Sequence, residues 1–432
     1  MHSARRETVD RGVIRAACGL AWSHEKSIMT KRLIIGLTSG SSLQGVDAAV
    51  VEWTGVGLDI RPNLLHFLRQ PFSRDLRDLI IKIGSNHPCP VRQTSLVHRV
   101  LGENFAQAAR QAADAVKLPM NQVLCIGCPG HTIAHEPEGR HPSTLALGMT
   151  GVIAERTGAT IVSDFRSRDL MLGGQGFPMT PVIDYLLYHK IGEDRVLIHL
   201  GGMATILWMP GKPNMRNVVG FQAGPCNLLL DGLMQRLTGG RESCDAGGKH
   251  AVQGRSIEPL LQHWLAHPAL KRKPPKVLPR HEFGDEFIAQ TLDLARQNQW
   301  SLHDVLCTAT HFVAQAILQA LERFVPDTIG RILFSGGGVR NGLLWRLLEQ
   351  NLERIPVERL DLHGVSCDAR KAVAFSGLAA LTLDGVPANI PSATGASSSR
   401  LLGSITPGSS ANWIRCLQWM TAQAAPVNLA AA

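Results

Sequence analysis

The chain has 432 residues and a formal net charge of +9, with 44% hydrophobic and 18% charged residues. This length predicts two or three domains, and the composition is typical of globular proteins and excludes a disordered chain. Aromatic residues make up 5%, no nucleic-acid-binding motif is visible, and no apolar run reaches the roughly 18–20 uncharged residues that span a bilayer. We therefore predict neither a nucleic-acid partner nor a membrane-spanning segment.

The N-terminal residues and the cysteines bear on processing and location. Residues 1–28 are basic and unpatterned, and a strand-like run begins at Met29. We predict that residues 1–28 are disordered or that translation starts at Met29. Nine cysteines, an odd number, favour reduced thiols in a cytoplasmic protein. Cys125 and Cys128 form one Cys-x-x-Cys pair without a second pair to complete a zinc site, so we predict packing thiols.

The first half of the chain begins with two strands around a turn of small residues, and a charged loop follows later. In chain order, the patterns predict strands at Leu33–Leu37 and Val46–Trp53, helices at 74–84 and 92–117, a buried strand at Gln122–Ile126, a helix at Leu145–Arg156 and a strand at Ala159–Ser163. The charged run Asp164–Asp169 is followed by Gly173, Gly174 and Gly176. Charges beside glycines are typical of a site loop rather than of a core.

The second half repeats the strand–turn–strand pattern. In chain order, we predict a strand at Arg195–Leu200, a strand at Ala204–Met209, a glycine-bearing loop at Gly220–Asn227, helices at Leu228–Leu237 and Leu302–Val325, a strand at Ile332–Phe334, a helix from Asn341, a helix at Asp368–Leu383, a loop at Pro391–Gly395 and an amphipathic segment near Trp413–Met420. Two glycine-turned hairpins in corresponding places predict two similar lobes.

The small-residue turns could bind phosphate. A strand that turns through small residues leaves backbone N–H groups free to contact phosphate oxygens. We predict that ATP is bound by two hairpin turns and by a glycine turn between a strand and a helix. The residues are Gly40, Ser41, Ser42, Leu43, Gln44, Gly45, Val46, Asp47, Gly201, Gly202, Gly336, Gly337 and Gly338. Asp47 is also the candidate ligand of Mg²⁺, through water.

Several motifs in fixed order carry a family resemblance. Ile35–Asp47 is similar to Gly-x-x-Ser-Gly-Thr-Ser-Leu-Asp-Gly-x-Asp, and Val162–Gly176 to Asp-Phe-Arg-x-x-Asp followed by Gly-Gly-Gln-Gly. Gly220–Leu230 is similar to Gly-Phe-Asp-x-Gly-Pro-Gly-Asn, and Ser335–Asn341 to Cys-Gly-Gly-Gly-x-x-Asn. From about Leu33 to Pro407 the chain resembles the anhydro-N-acetylmuramic acid kinase family of the actin-like and sugar-kinase superfamily.

The resemblance implies an α/β fold of two ribonuclease H-like lobes of the actin, hexokinase and Hsp70 type, with a cleft between them. It predicts lobe I at 33–194, lobe II at 195–385, and a C-terminal segment at 386–432 that packs back on lobe I. The implied activity opens the anhydro bond of 1,6-anhydro-N-acetylmuramic acid with water and phosphorylates O6, using ATP and Mg²⁺, in peptidoglycan recycling. The implied partners are therefore the amino sugar and ATP, and a homodimer is left open.

The resemblance also implies site residues, three of which depart from the family pattern. The substrate contacts would be Thr132, His135, Arg166, Gly174 and Gln175. Family aspartates stand at the positions of Gln44 and Gln222, and a family glutamate at that of Lys371. Gln222 occupies the position of the family general base.

A carboxamide cannot accept a proton from water, and general-base catalysis contributes about 10²–10⁴-fold in rate. Gln222 therefore threatens the hydrolytic half of the reaction more than ATP binding. Asp164 or Asp169 would be the replacement base. Three readings stay open: the family kinase with a shifted substrate, a non-catalytic relative that binds sugar or nucleotide, and a kinase for another amino sugar.

Overall fold

A computed structural model describes residues 31–40, 42–84 and 88–423. The prediction for residues 1–28 lies outside these ranges. The strands are β1 Lys31–Ser39, β2 Gly45–Thr54, β3 Arg61–Pro71, β4 Val123–Gly127, β5 His131–Glu136, β6 Ser143–Leu147, β7 Thr160–Ser163, β8 Asp194–Leu200, β9 Met203–Met209, β10 Val219–Pro225, β11 Ile329–Ser335, β12 Val357–Arg359 and β13 Ser404–Thr406.

The helices separate and cover these strands. They are α1 Arg74–Gly84, α2 Val91–Ala115, α3 Thr150–Thr157, α4 Ser167–Leu170, α5 Pro181–Tyr188, α6 Asn227–Leu237, α7 Glu258–Leu265, α8 Pro268–Lys271, α9 Asp285–Gln297, α10 Leu302–Phe324, α11 Gly342–Asn351, α12 Arg370–Leu383, α13 Pro391–Thr394 and α14 Ser410–Gln423. In the part of the chain that the structure describes, α10 alone is long and apolar enough to span a membrane, and 72% of its apolar window is buried inside the protein.

Two sheets share one topology. The first has the strand order β13-β7-β4-β1-β2-β3, and the second has the order β10-β9-β8-β11-β12. In each sheet an antiparallel meander of three strands (β1–β3 or β8–β10) is extended on the side of its first strand by parallel strands. This repeated order is that of a ribonuclease H-like lobe, so the predicted fold class is confirmed. β4, in the middle of its sheet, is buried along its whole length, as expected for a parallel strand covered on both faces.

Helix α12 follows the second sheet in sequence but packs on the first. A side chain at Gly36 in β1 would clash with the carbonyl oxygen of Ala372, and one at Gly127 in β4 would clash with that of Phe375. Glycine at these two positions lets the helix backbone approach the sheet closely. The predicted lobe II, 195–385, includes α12, whereas these contacts place α12 on the first sheet.

The C-terminal segment returns to the first sheet. β13 pairs antiparallel with β7 at the sheet edge. In α14, the Asn412 side chain accepts a hydrogen bond from the backbone N–H of Thr160 at 2.7 Å and donates one to the carbonyl oxygen of Leu124 at 3.1 Å. Residues 404–423 therefore contact β4 and β7 of the first sheet.

Three sequence predictions of local structure were wrong. The predicted helix Leu145–Arg156 is β6 followed by α3, because Gly148, with φ of 129°, interrupts the chain and β6 pairs with β5. The predicted loop Gly220–Asn227 is mostly β10. Its glycines suggested a loop, but its backbone forms hydrogen bonds with β9. The loop at Pro391–Gly395 contains the short helix α13.

Candidate active site

The second hairpin is fixed by the start of α6. Gly201 and Gly202 join β8 to β9, and their carbonyl oxygens accept hydrogen bonds from the backbone N–H groups of Asn227 at 3.0 Å and Cys226 at 2.9 Å. Cys226 and Asn227 were not predicted as site residues, although the motif Gly-Pro-x-Asn at positions 224–227 was the available signal. The α6 N-terminus therefore determines the shape of the turn.

The glycine turn after β11 packs against the same hairpin. Gly336 has φ of 89°, and a side chain there would place its Cβ 2.6 Å from the carbonyl oxygen of Leu200. A Cβ at Gly338 would lie 2.7 Å from the Cβ of Leu200 and 3.3 Å from the side chain of Asn227. The structure thus brings together the predicted residues of the second hairpin and of the glycine turn. Bare backbone at both turns suits the close approach of phosphate groups.

The first hairpin is a tight turn at the end of β1. The Leu43 N–H donates to the carbonyl oxygen of Gly40 at 3.1 Å, and Leu43 has φ of 52°. At Gly45, φ is 154°, and a side chain would clash with the backbone of Gln70 in β3. The predicted ATP contact Ser41 lies outside the described residues. The remaining hairpin residues form the turn that the sequence predicted.

Asp47, the predicted magnesium ligand, is paired with Arg69 of β3. Arg69 donates from Nε to Asp47 Oδ1 at 2.5 Å and from Nη2 to Oδ2 at 3.0 Å. A third nitrogen, Nη1, donates to Gln44 Oε1 at 2.9 Å. Burial raises the pKa of Asp47, while Arg69 opposes that shift. Sequence reasoning missed Arg69, which lies directly opposite Asp47 in the strand register.

This ion pair extends into a chain of charges. Arg69 Nη2 lies 3.6 Å from Asp368 Oδ1, and the other Asp368 oxygen is paired with Arg340. Arg340 ends the short helical turn that begins at Gly337. The first hairpin is therefore connected by alternating charges to the segment that follows the glycine turn of the second sheet.

The donor set at Asp47 does not fit Mg²⁺. Both carboxylate oxygens already accept hydrogen bonds from a guanidinium, and Mg²⁺ is held by carboxylate oxygens together with water and phosphate. Across the described ranges, no group of three or more His, Cys, Asp or Glu side chains could hold a metal ion. The prediction of Asp47 as a magnesium ligand is therefore opposed by the geometry.

Asp169, a candidate general base, holds loops together. Its carboxylate is fully buried, and it accepts hydrogen bonds from the Gly176 N–H at 2.9 Å, Asn389 Nδ2 at 2.8 Å and Thr394 Oγ1 at 2.8 Å. A side chain at Gly174 would clash with this carboxylate, so the predicted substrate contact Gly174 has a packing role. A base enclosed by three donors has no access to water, and the geometry does not support the catalytic role predicted for Asp169.

Asp164, the other candidate base, caps α4. It is exposed, it has φ of 51°, and its Oδ1 accepts hydrogen bonds from the N–H of Ser167 at 3.2 Å and from its hydroxyl at 2.7 Å. Aspartate tolerates this left-handed conformation and favours helix N-termini. The contacts of Asp164 are therefore explained by the local turn.

Four predicted substrate contacts surround the glycine loop. His135 Nε2 donates to the Gln175 carbonyl oxygen at 2.9 Å, and Arg166 Nη1 donates to that of Gly176 at 2.6 Å. The side-chain oxygen of Gln175 is buried without a hydrogen-bond partner. Thr132 lies half-buried in β5, the strand that carries His135. Burial lowers the pKa of Arg166 to about 10, so its guanidinium is charged at neutral pH.

We expect His135 to make stability depend on pH. Burial, assisted by the charge of Arg166, lowers the pKa of His135 from 6.5 to about 4. The unfolded chain therefore binds this proton more readily, so the contribution is complete above pH 6.5 and is lost as pH falls towards 4. The expected loss is about 3 kcal/mol. Urea unfolding of a His135→Gln variant should show a flatter pH profile, whereas exposed His141→Gln should follow the unmodified protein.

Gln222 connects β10 to a neighbouring segment. Its side-chain Oε1 accepts a hydrogen bond from the Leu278 backbone N–H at 2.7 Å. The backbone N–H of Gln222 donates to the Lys276 carbonyl oxygen at 3.1 Å. The side chain is buried, and its amide has no basic form at neutral pH. At the predicted position of the general base the structure therefore has a hydrogen-bonded amide.

Lys371 interacts electrostatically with charged and titratable side chains from several parts of the candidate site. It is the second residue of α12 and is half-buried. It lies close enough to Asp47, Arg166 and His199 to shift their pKa values or to have its own shifted. Burial lowers the pKa of Lys371 to about 8. Burial, with the charge of Lys371, lowers that of His199 well below its ordinary value. The charge of Lys371 therefore acts on groups beside both hairpins and on the arginine loop.

Comparison with known proteins agrees with this arrangement. The profile of the anhydro-N-acetylmuramic acid kinase family matches residues 32–408. An anhydro-N-acetylmuramic acid kinase of Gloeobacter violaceus is 36% identical over 382 residues, which are 88% of this chain and 100% of the relative. That of Bacillus cereus is 35% identical over 86% of this chain and 98% of the relative. That of Caldanaerobacter subterraneus is 33% identical over 87% and 97%.

The chain belongs to the anhydro-N-acetylmuramic acid kinase family. The family consists of ATP-dependent sugar kinases, so the predicted resemblance and enzyme class are confirmed. Gln44, Gln222 and Lys371 stand at positions where the sequence resemblance led us to expect acidic residues.

Proposed function

We propose that this protein is an ATP-dependent kinase whose acceptor is an amino sugar, and that its cleft binds nucleotide and sugar between two ribonuclease H-like lobes. The convergence of the Gly201–Gly202 hairpin turn with the Gly336–Gly338 turn carries the proposal. Glycine lets the two turns pack closely together, because a Cβ at Gly336 or Gly338 would clash with Leu200 at the end of β8. Such turns accommodate the phosphates and the nucleoside of a nucleotide.

The sugar is proposed to lie beside the arginine loop. Arg166, charged at neutral pH and held by the Gly176 carbonyl oxygen, would pair with the carboxylate of a lactyl side chain. His135, Thr132 and Gln175 lie in the same region, and the free side-chain oxygen of Gln175 would accept a sugar hydroxyl. The relatives are named anhydro-N-acetylmuramic acid kinases, so the 1,6-anhydro sugar that the sequence resemblance implies is the first acceptor to test.

Ring opening is the weak step of this proposal. Opening the anhydro bond with water requires a base, yet Gln222 is an amide and Asp169 is enclosed. An amino sugar that already has a free hydroxyl needs no such base, so it is the second acceptor. A non-catalytic role in sugar or nucleotide binding is the alternative function, and Gln222 together with Lys371 favours it. We extend the proposal to a cytoplasmic location and to peptidoglycan recycling, while a homodimer stays a prediction.

The deciding experiment incubates the purified protein with ATP, MgCl₂ and each acceptor, and follows ADP and sugar phosphate by mass spectrometry. Sugar phosphate from either acceptor supports the kinase. Nucleotide binding by calorimetry without turnover of either acceptor would reject the kinase in favour of the non-catalytic role.

We expect Gln222→Asp to increase turnover of the anhydro sugar. A carboxylate at this position restores a group that can accept a proton from water, and such assistance is typically about 10²–10⁴-fold. The matched control is Gln222→Asn, which shortens the side chain equally but stays an amide. Equal rates for the two variants would show that the missing carboxylate is not what limits ring opening.

A further inference from the structure

Lys371 and its neighbour Arg370 differ in their side-chain contacts. Arg370 forms a buried ion pair with Asp184, donating from Nε to Oδ1 at 2.8 Å. Within the described ranges, the Lys371 side chain makes no hydrogen bond or salt bridge. The charged or titratable groups close enough to influence it are Asp47, Arg166, Asp184, His199 and Arg370. Two of these carboxylates are already paired, Asp47 with Arg69 and Asp184 with Arg370. An unpaired ammonium among paired carboxylates is available to an anionic ligand.

The two carboxylates that adjoin the first hairpin, Asp47 and Asp368, are both neutralised by arginine. Asp47 accepts hydrogen bonds from Nε and Nη2 of Arg69, and Asp368 lies between Arg69 and Arg340. Gln44 adds an amide where a third carboxylate would stand, and its oxygen is also used by Arg69. A divalent cation arriving with a nucleotide would meet arginine-bound oxygens and an uncompensated lysine. Its charge would be repelled by Lys371 rather than shared with protein oxygens.

We propose that the cleft binds the phosphates of its nucleotide by direct contact with Lys371 and without a divalent cation. The inference rests on the proposed nucleotide site and concerns how that site balances charge. Lysine is a compact point charge that binds phosphate in many nucleotide sites. Lys371 precedes Ala372, whose backbone lies against Gly36 of β1, the strand that enters the first hairpin. The charge of Lys371 also acts on His199, at the end of β8 that leads into the second hairpin. The positive charge of Lys371 then neutralises phosphate charge, which is the role of a magnesium ion in a cleft where free carboxylates can hold it.

The test is calorimetric titration of the full-length protein with ATP, once with excess EDTA and once with excess MgCl₂. We expect ATP to bind at least as tightly in EDTA as in MgCl₂. Binding in MgCl₂ that weakens about tenfold or more in EDTA would overturn the inference and leave the proposed nucleotide site intact. Failure to bind ATP in either buffer would overturn both. This comparison needs no variant, so it does not depend on a substitution being tolerated.

Variants then assign the effect to one side chain. Lys371→Gln should weaken ATP binding in EDTA by about tenfold or more, as expected for the loss of a charge-assisted contact. Lys371→Glu should bind ATP better in MgCl₂ than in EDTA, because the new carboxylate can share the cation. The control is Lys212→Gln, an exposed lysine next to Gly211, which contacts Glu193 at the opposite end of β8 from Gly201. Unchanged affinity of Lys371→Gln in EDTA would contradict the assignment.

Discussion

Asp169→Ala is expected to lower the free energy of unfolding by about 3–5 kcal/mol, since it leaves buried donors without a partner. The carboxylate accepts hydrogen bonds from the Gly176 N–H, the Asn389 amide and the Thr394 hydroxyl, and it is fully buried. These donors come from the glycine loop and from the C-terminal segment, so the two segments should loosen together. Urea unfolding followed by circular dichroism measures the loss.

The same position separates a structural role from a catalytic one. Asp169→Asn has nearly the shape of aspartate but presents an NH₂ group to donors, so it should also be strongly destabilised. Asp164→Ala is the control, because Asp164 is exposed and caps only the short helix α4, and its loss should cost about 1 kcal/mol. An Asp169→Asn variant with unchanged stability and no catalysis would show that Asp169 is a base after all.

Gly336→Ala is expected to abolish nucleotide binding, with a loss of affinity of about a hundredfold or more. Its Cβ would lie 2.6 Å from the Leu200 carbonyl oxygen, and φ of 89° is unfavourable for any L side chain. The turn would have to move away from the Gly201 hairpin, and several contacts with the nucleotide would be lost. Each loss of about 1.4 kcal/mol in binding free energy weakens affinity tenfold. Calorimetric titration with ATP measures the effect.

The adjacent glycine provides the matched control. A Cβ at Gly337 would meet its nearest neighbours, the Asn227 amide and the Arg340 guanidinium, at 3.5 and 3.9 Å, which are ordinary contact distances. Gly337→Ala should therefore unfold at nearly the same temperature as the unmodified protein. If Gly336→Ala bound ATP as tightly as Gly337→Ala does, the glycine turn would not be part of the nucleotide site.

Much of the architecture of the proposed phosphate site was predictable because its signals are local. Small residues between β-branched runs indicate a turn wherever they occur, and Gly201, Gly202 and Gly336 are found in such turns. The repetition of the hairpin predicted two similar lobes, which the matching strand orders of the two sheets confirm. The glycines of β10 were misread as a loop because the pairing that makes them a strand comes from β9.

The sequence by itself indicated the family and the hairpins, because short motifs carry both. It also placed Gln44, Gln222 and Lys371 where the resemblance led us to expect acidic residues. Only the tertiary structure decided which carboxylates are free. Asp169 is enclosed by side chains from positions 389 and 394, and Asp47 is paired with Arg69 across two strands. The charge state and availability of a carboxylate depend on its neighbours in space. Strand register and helix packing determine those neighbours, and a local sequence pattern specifies neither.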